Sequence, residues 1–338
     1  MRKLTSSHAL ALLLAGAAGP AAMADIPRET GWSGSVNIGA GVGQSETNML
    51  AGLSSIDLGD ERIDSLDEDA GSEDIAFPAL QFDINYTLGD SQTQFYLRNQ
   101  PSPYVLLDME ALAGIRQQVP RIGIVDLALS ATTIPTDIWK DPYLTGADRG
   151  DTERTTSGLH MAWRGVMDTA LTLEFSSKEV EIDDEDSGES LGLSFSELQL
   201  LERTGEVYRF HGEYPFQIGE KHRLIPGLTW LDYDLDGGAM AEDGVAAQLL
   251  YQYTSGRWGF NGRVQVQALE AKEDNPIYAT SADRDVISIA AGVSYARPFG
   301  LDSWTANARA AWLDSDSDID FYDESLVFVS VGMLYRID

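Results

Sequence analysis

The 338-residue chain has no cysteine, four histidines, and only 23 lysines and arginines against 54 aspartates and glutamates. Without cysteine there is neither a disulfide framework nor a thiolate metal site, and an exported chain is spared mispaired thiols. A formal charge of −31 disfavours nucleic-acid binding, since little basic charge is available to neutralise phosphates. Beyond residue 24 no stretch of about 18 apolar residues occurs, so no membrane helix is expected. Any membrane residence must then use a closed β-barrel, the other structure that satisfies every backbone N–H and C=O within lipid.

What is present begins with an export sequence. Arg2 and Lys3 precede a short apolar run, Ala9 to Ala18, and Ala22-Met23-Ala24 gives a small-x-small cleavage pattern. Residues 1–24 are therefore expected to be a cleaved signal peptide and 25–338 a single domain. Loss of Arg2 and Lys3 leaves 21 bases against 54 acids, a net −33.

The mature chain alternates. In QFDINYTL, Phe82, Ile84, Tyr86 and Leu88 share one face, and Gln81, Asp83, Asn85 and Thr87 the other. In WGFNGRVQVQA, Trp258, Phe260, Val264 and Val266 oppose Asn261, Arg263, Gln265 and Gln267. Fourteen such runs are expected, at 32–47, 77–88, 92–99, 104–118, 121–134, 156–166, 169–181, 205–218, 221–234, 241–254, 257–271, 284–297, 303–314 and 325–337. Most reach the ~9 to 11 residues that cross a bilayer with tilt, whereas ordinary globular strands centre on about 5 to 6.

The connections fall into two classes. Tight turns such as GDS at 89–91 and SGR at 255–257 follow the even-numbered runs, and long segments such as 48–76, 135–155 and 182–204 follow most odd ones. Short periplasmic turns opposite long outer loops are the arrangement of outer-membrane barrels. Aromatics such as Trp32, Trp258 and Trp304 collect at the turn ends and Trp230 and Trp312 toward the loop ends, as two girdles. The expected fold is an all-β transmembrane antiparallel barrel of about fourteen strands in the bacterial outer membrane.

The last run ends almost with the chain, which closure against the first strand permits. Ser330, Gly332, Tyr335 and Ile337 within it resemble the C-terminal signal read by the barrel-assembly machinery, departing from it in Ile337 and the extra Asp338. The segments DPYLTG (Asp141 to Gly146), IDFYDES (Ile319 to Ser325) and VSVG (Val329 to Gly332) are similar to the domain-of-unknown-function 2860 family of predicted outer-membrane proteins from marine Gram-negative bacteria. The similarity extends over most of the mature chain; it implies a barrel and carries over no catalytic or binding residue.

Strand parity places Arg98, Arg116, Arg164, Arg209, Arg263 and Arg309 inside, with Glu110, Glu174 and Glu213 among the facing carboxylates. Fourteen strands leave room for a narrow pore. The expected function is passive passage of small polar solutes along this mixed lining. The alternative is a non-conducting structural or surface-binding barrel bridged by divalent cations, and a further one is a rim hydrolase. His160, His211 and His222 sit in no hydrolase motif, and His160 is nearest the outer rim.

Acidic clusters mark the outer loops. DYDLDGGAMAED, with Asp232, Asp234, Asp236 and Asp243, follows a calcium-loop pattern at its start but lacks the closing Glu. Calcium or magnesium there is the one cofactor suggested. Expected partners are outer-membrane lipid and lipopolysaccharide together with the assembly machinery; the sequence names no solute.

Overall fold

The computed structural model describes residues 25–67 and 69–337; the expected signal peptide, 1–24, and Asp338 lie outside the described residues. Alternating faces pair edge to edge into fourteen wall strands: β1 Gly31–Glu46, β2 Ser72–Leu88, β3 Thr93–Pro101, β4 Met109–Val119, β5 Gly123–Ile134, β6 Asp151–Arg164 and β7 Thr172–Ile182 make one half. The other half is β8 Gly205–Glu213, β9 His222–Leu235, β10 Glu242–Ser255, β11 Trp258–Ala271, β12 Arg284–Ala296, β13 Trp304–Ser317 and β14 Glu324–Ile337. Neighbours in the chain pair antiparallel, and β14 pairs with β1 from Ile337↔Gly34 to Ser325↔Glu46. The sheet therefore closes without a free edge, as a transmembrane antiparallel β-barrel.

Two prolines interrupt the wall, because each removes a ladder N–H. Pro135 separates β5 from a short strand, Thr136–Trp139, and Pro215 separates β8 from Phe216–Ile218. At the turn ends the chain reverses tightly; Gly256, with φ of 61°, occupies the two-residue turn between β10 and β11, where a side chain would be strained.

Alternation sorts the side chains between lipid and interior. On β14, Val327, Val329 and Val331 face outward, 41%, 51% and 65% exposed, while Phe328 and Ser330 between them are buried. Strands of 14 residues at ~3.3 Å per residue and ~40° of tilt span about 35 Å, enough to cross the hydrocarbon of a bilayer. The inner girdle is built of cross-strand pairs: Trp32 on Tyr86, Trp258 on Tyr295 and Trp304 on Tyr335, with ring centroids 5.0, 4.7 and 5.1 Å apart. No helix among the described residues is long and apolar enough to cross a membrane; the crossing elements are strands.

Four boundaries differ from expectation by five residues: β6 begins at Asp151 instead of 156, and β8 ends at Glu213 instead of 218, where Pro215 interrupts it. β2 begins at Ser72, five residues before the expected start, lengthening the wall at the outer rim. The fourth run was expected from 104, yet β4 begins at Met109 and residues 102–108 leave the wall. Pro103 cannot donate to a ladder, and Tyr104-Val105-Leu106-Leu107 is apolar on successive positions, so one of its faces could not meet water in a wall strand.

Candidate functional site

The inner wall carries a belt of charge because polar residues repeat at every second position of adjacent strands. Asp126 on β5 sits opposite Arg116 on β4 and accepts from Arg116 Nε and Arg164 Nη1, both at 2.9 Å to its Oδ2. Its Oδ1 accepts the Tyr96 hydroxyl at 2.6 Å, and the Arg116 guanidinium lies 4.0 Å from the centre of the Tyr96 ring. Further round, Arg209 Nη1 pairs with Glu174 Oε2 at 3.2 Å, and Glu213 Oε2 lies 3.6 Å from His211 Nε2. Arg263 donates from Nη2 to Gln248 Oε1 at 2.5 Å and to Gln265 Oε1 at 2.7 Å. Arg98 lies 5.3 Å from the Tyr96 ring centre, and Arg98 Nε, Arg263 Nε and Arg309 Nη1 are buried without hydrogen-bond partners.

Glu110 belongs to a second cluster whose centre, Lys178, went unnoticed in the sequence. Lys178 Nζ lies 2.6 Å from Asp108 Oδ2 and 2.8 Å from Glu110 Oε2, and it donates to Ser102 Oγ at 3.0 Å. Lys178 stands four residues beyond Glu174 on the same face of β7, so strand parity could have found it. Because Ser102 and Asp108 bracket residues 102–108, one ammonium pins both ends of that segment.

The pinned segment crosses the interior. Tyr104 and Val105 pack on Val180, Val207, Leu231 and Leu269, from strands β7, β8, β9 and β11. The Tyr233 hydroxyl donates to the Tyr104 carbonyl at 2.7 Å, and Arg154 Nη2 donates to the Leu106 carbonyl at 2.7 Å. The first outer loop also turns inward: Leu50, Leu53 and Leu58 are buried against Ile75, Phe77 and Phe328 of the wall.

Above this the outer loops, including the far part of the first, form a lid. Ile63, Tyr143, Leu201, Ala282, Ile319, Phe321 and Tyr322 come from five loops and share one apolar cluster. The Tyr143 and Tyr322 hydroxyls lie 2.6 Å apart, and Asn275 Nδ2 donates to Tyr322 at 2.6 Å. Burial pushes the Tyr143 phenol up to about 12 and, with Tyr143 beside it, raises that of Tyr322 well above its ordinary range. Arg149 fastens the first loop, donating to the carbonyls of Asn48, Pro142 and Asp60 at 2.9, 3.1 and 2.5 Å. Asp141 accepts from the backbone N–H groups of Tyr143, Gly188 and Ser190, tying two loops together. The DPYLTG and IDFYDES segments thus meet in the lid, whose acidic surface covers an apolar interior.

Between the 102–108 segment and the lid lies a cavity of ≈ 380 Å³. Tyr104 and Leu106 border it from the segment, Met240 and Tyr322 from the lid, and inward residues of β10 to β14 from the wall, with Arg263 toward the periplasmic end.

The aspartates of the β9–β10 hairpin do not converge on a metal position. Asp232 and Asp234 both reach Lys272 Nζ at 2.8 Å, Asp236 accepts from Thr204, and Asp243 faces Asp232 across the ladder. Among the described residues no group of three or more His, Asp or Glu is placed to hold a metal. His160 Nδ1 lies 3.1 Å from Ser176 Oγ inside the wall, but its Nε2 has no partner, so the pair lacks the acid that would orient a catalytic imidazole. On β14, Ser330 is buried, Gly332 faces Gly39 at the closing seam, Tyr335 belongs to the inner girdle, and Ile337 pairs with Gly34.

Comparison with known proteins gives three kinds of result. The CymD monoaromatic hydrocarbon channel is similar over 90% of this chain and 88% of its own, at 10% identity and a TM-score of 0.47. The outer-membrane channel DcaP of Acinetobacter baumannii is similar over 91% and 97%, at 9% identity and a TM-score of 0.42. OmpT, an outer membrane protein of Vibrio cholerae, is similar over 90% and 98%, at 12% identity and a TM-score of 0.38. No curated protein matches the sequence. Residues 31–336 match the family model described as "Protein of unknown function (DUF2860)", and the chain belongs to that family.

Proposed function

We propose that this outer-membrane barrel is a passive channel for small solutes, with the 102–108 segment and the lid as its movable parts. The observation that carries the reading is the ≈ 380 Å³ space left inside the wall, between the inward segment and the lid and bordered by Arg263 of the charged belt. A barrel with a purely structural interior would fill this space with side chains, since protein interiors pack closely. The belt supports the reading too: its six arginines, Arg98, Arg116, Arg164, Arg209, Arg263 and Arg309, outnumber its four carboxylates, Asp83, Asp126, Glu174 and Glu213, in a chain whose net charge is −31. Excess arginine there favours anions over cations, by concentrating positive potential within a low-dielectric wall.

The sequence alone suggested polar solutes; the apolar cavity walls extend this to solutes with an apolar part. Export by a signal peptide at 1–24, assembly through Ser330, Gly332, Tyr335 and Ile337, and contact with lipid and lipopolysaccharide complete the proposal. Planar-bilayer recording of the refolded protein tests it. Stepwise conductance is expected, larger in Tyr104→Ala; an absence of steps in both proteins, in every salt tried, overturns it.

A further inference from the structure

The geometry points to the cavity as a binding site for a small monocarboxylate: an apolar body a few carbons long, ending in one anionic head held by Arg263. The inference gives the channel reading a substrate class and rests on it for biological meaning, though not for its test.

Three features define the class. Most of the lining is apolar, with Val180, Val207, Val286, Leu326 and Phe328 among the residues bordering the cavity. A body without hydrogen-bonding groups loses nothing against them, whereas a sugar or amino acid would leave polar groups unpaired. At ≈ 380 Å³ the space lies at the small end of ligand pockets, which run from ~300 to 1,000 Å³.

Charge then fixes the head group and its direction. The cavity's outer end holds Arg284 matched to Glu242 at 2.8 Å, and Arg203 there is matched to Glu185 at 2.8 Å. Glu324, which also borders the cavity, accepts from the Thr47 hydroxyl at 2.8 Å. Arg154 is engaged by the Leu106 carbonyl. Arg154 shares with Arg263, toward the inner end, an absence from every ion pair among the described residues and an Nε without a partner. But Arg154 lies in the field of Glu324, whereas the only carboxylates bordering the cavity, Glu242 and Glu324, stand at the end away from Arg263. Arg263 Nη2 is instead fixed by the amide oxygens of Gln248 and Gln265, which orient the guanidinium without neutralising it. A buried guanidinium with no carboxylate within hydrogen-bond reach is costly, and an incoming carboxylate offsets that cost by forming charge-assisted hydrogen bonds. With Glu242 and Glu324 at the outer end and the Arg263 guanidinium at the inner end, a monoanion enters head first, and a second anionic group would meet those two carboxylates.

Titration calorimetry on the full refolded barrel in a zwitterionic detergent, with barrel-free micelles subtracted, reads this directly. Hexanoate is expected to bind saturably, with acetate, which lacks the body, and hexanamide, which lacks the charge, each at least about tenfold weaker. Arg263→Gln should lower hexanoate to the level of hexanamide, whereas Arg257→Gln, the same charge change in a periplasmic turn, should leave it unaltered. Ala311→Phe, which projects into the cavity, should weaken hexanoate as well. Equal binding of hexanoate and hexanamide, no hexanoate binding, or an unchanged affinity in folded Arg263→Gln each overturns the inference. If Arg263→Gln does not fold, as judged by its heat-modifiable gel mobility, the comparison of ligands on the unaltered protein decides. Saturable hexanoate binding without conductance would remove the channel reading alone; conductance without a preference for hexanoate would remove this inference alone.

Discussion

Replacing Lys178 by Met tests whether residues 102–108 are held inside the barrel by charge. Lys178, Asp108 and Glu110 have side chains only 1%, 2% and 5% exposed, with the ammonium 2.6 and 2.8 Å from the two carboxylates. Asp108 keeps the hydroxyls of Thr132 and Thr156, at 2.7 and 2.8 Å, and Glu110 keeps the Gln100 amide at 2.8 Å. These neutral donors do not offset two buried negative charges left facing each other. Breaking a buried pair by removing one partner costs about 3–5 kcal/mol, and the loss here should fall in that range. The triple variant Lys178→Met, Asp108→Asn, Glu110→Gln should recover more than half, because it removes the stranded charges along with the ammonium. Urea unfolding of the barrel refolded into lipid vesicles, followed by tryptophan fluorescence, measures both. Since Lys178 also holds Ser102, the single variant should show larger or noisier conductance steps as the segment loosens. A single variant within about 0.5 kcal/mol of the parent, or a triple variant less stable than the single, would refute the reasoning.

Tyr104→Ala removes the ring packed on Val180, Val207, Leu231 and Leu269; it should destabilise by about 3–5 kcal/mol, as large core truncations do, and raise conductance severalfold in planar bilayers. The lid should open in alkali. Folding raises the phenols of Tyr143 and Tyr322, so the stability they contribute is whole below the ordinary phenol range near ~10, and the part from Tyr143 is lost as pH rises through about 12. Protease cleavage of the outer loops should rise over that interval in step with tyrosinate absorbance, and cleavage already maximal at neutral pH would contradict it. At the closing seam, a Cβ on Gly39 would stand 2.3 Å from the Val331 carbonyl oxygen, so Gly39→Val should lower the heat-modifiable folded fraction, while Val329→Ile on the lipid face should not.

The wall was legible because its rule is local. Alternation in QFDINYTL and WGFNGRVQVQA, tight turns at one end and aromatics above them place all fourteen strands in order, within a few residues at most ends. The inward arginines followed from parity alone. The interior segments were not legible, because their positions depend on surfaces distant in sequence: Tyr104 rests on residues up to 165 positions away, at Leu269. An apolar run such as Tyr104-Val105-Leu106-Leu107 fits a buried strand as well as a buried loop, and only Pro103 hinted at the difference. The acidic loops misled in a related way. Their carboxylates announced solvated surface and concealed the apolar residues that meet beneath it, among them Tyr143 and Tyr322. Asp232 and Asp234 resembled a calcium loop until Lys272, 38 residues beyond Asp234, filled the space between them. Charge partners across a barrel are set by register, which no short motif encodes.

The most direct measurement uses the absence of native cysteine. Single cysteines at Val264, Gln265, Val266 and Gln267 on β11, each carrying a nitroxide in the reconstituted protein, report solvent residue by residue. Val264 and Val266 face outward, 45% and 50% exposed, whereas Gln265 and Gln267 border the cavity. Collisions with lipid-dissolved oxygen should be high at Val264 and Val266 and low at the two glutamines, with added hexanoate changing mobility only at the glutamines. Uniform oxygen access along the four positions, or access greatest at the glutamines, would contradict a wall that divides lipid from a solute chamber.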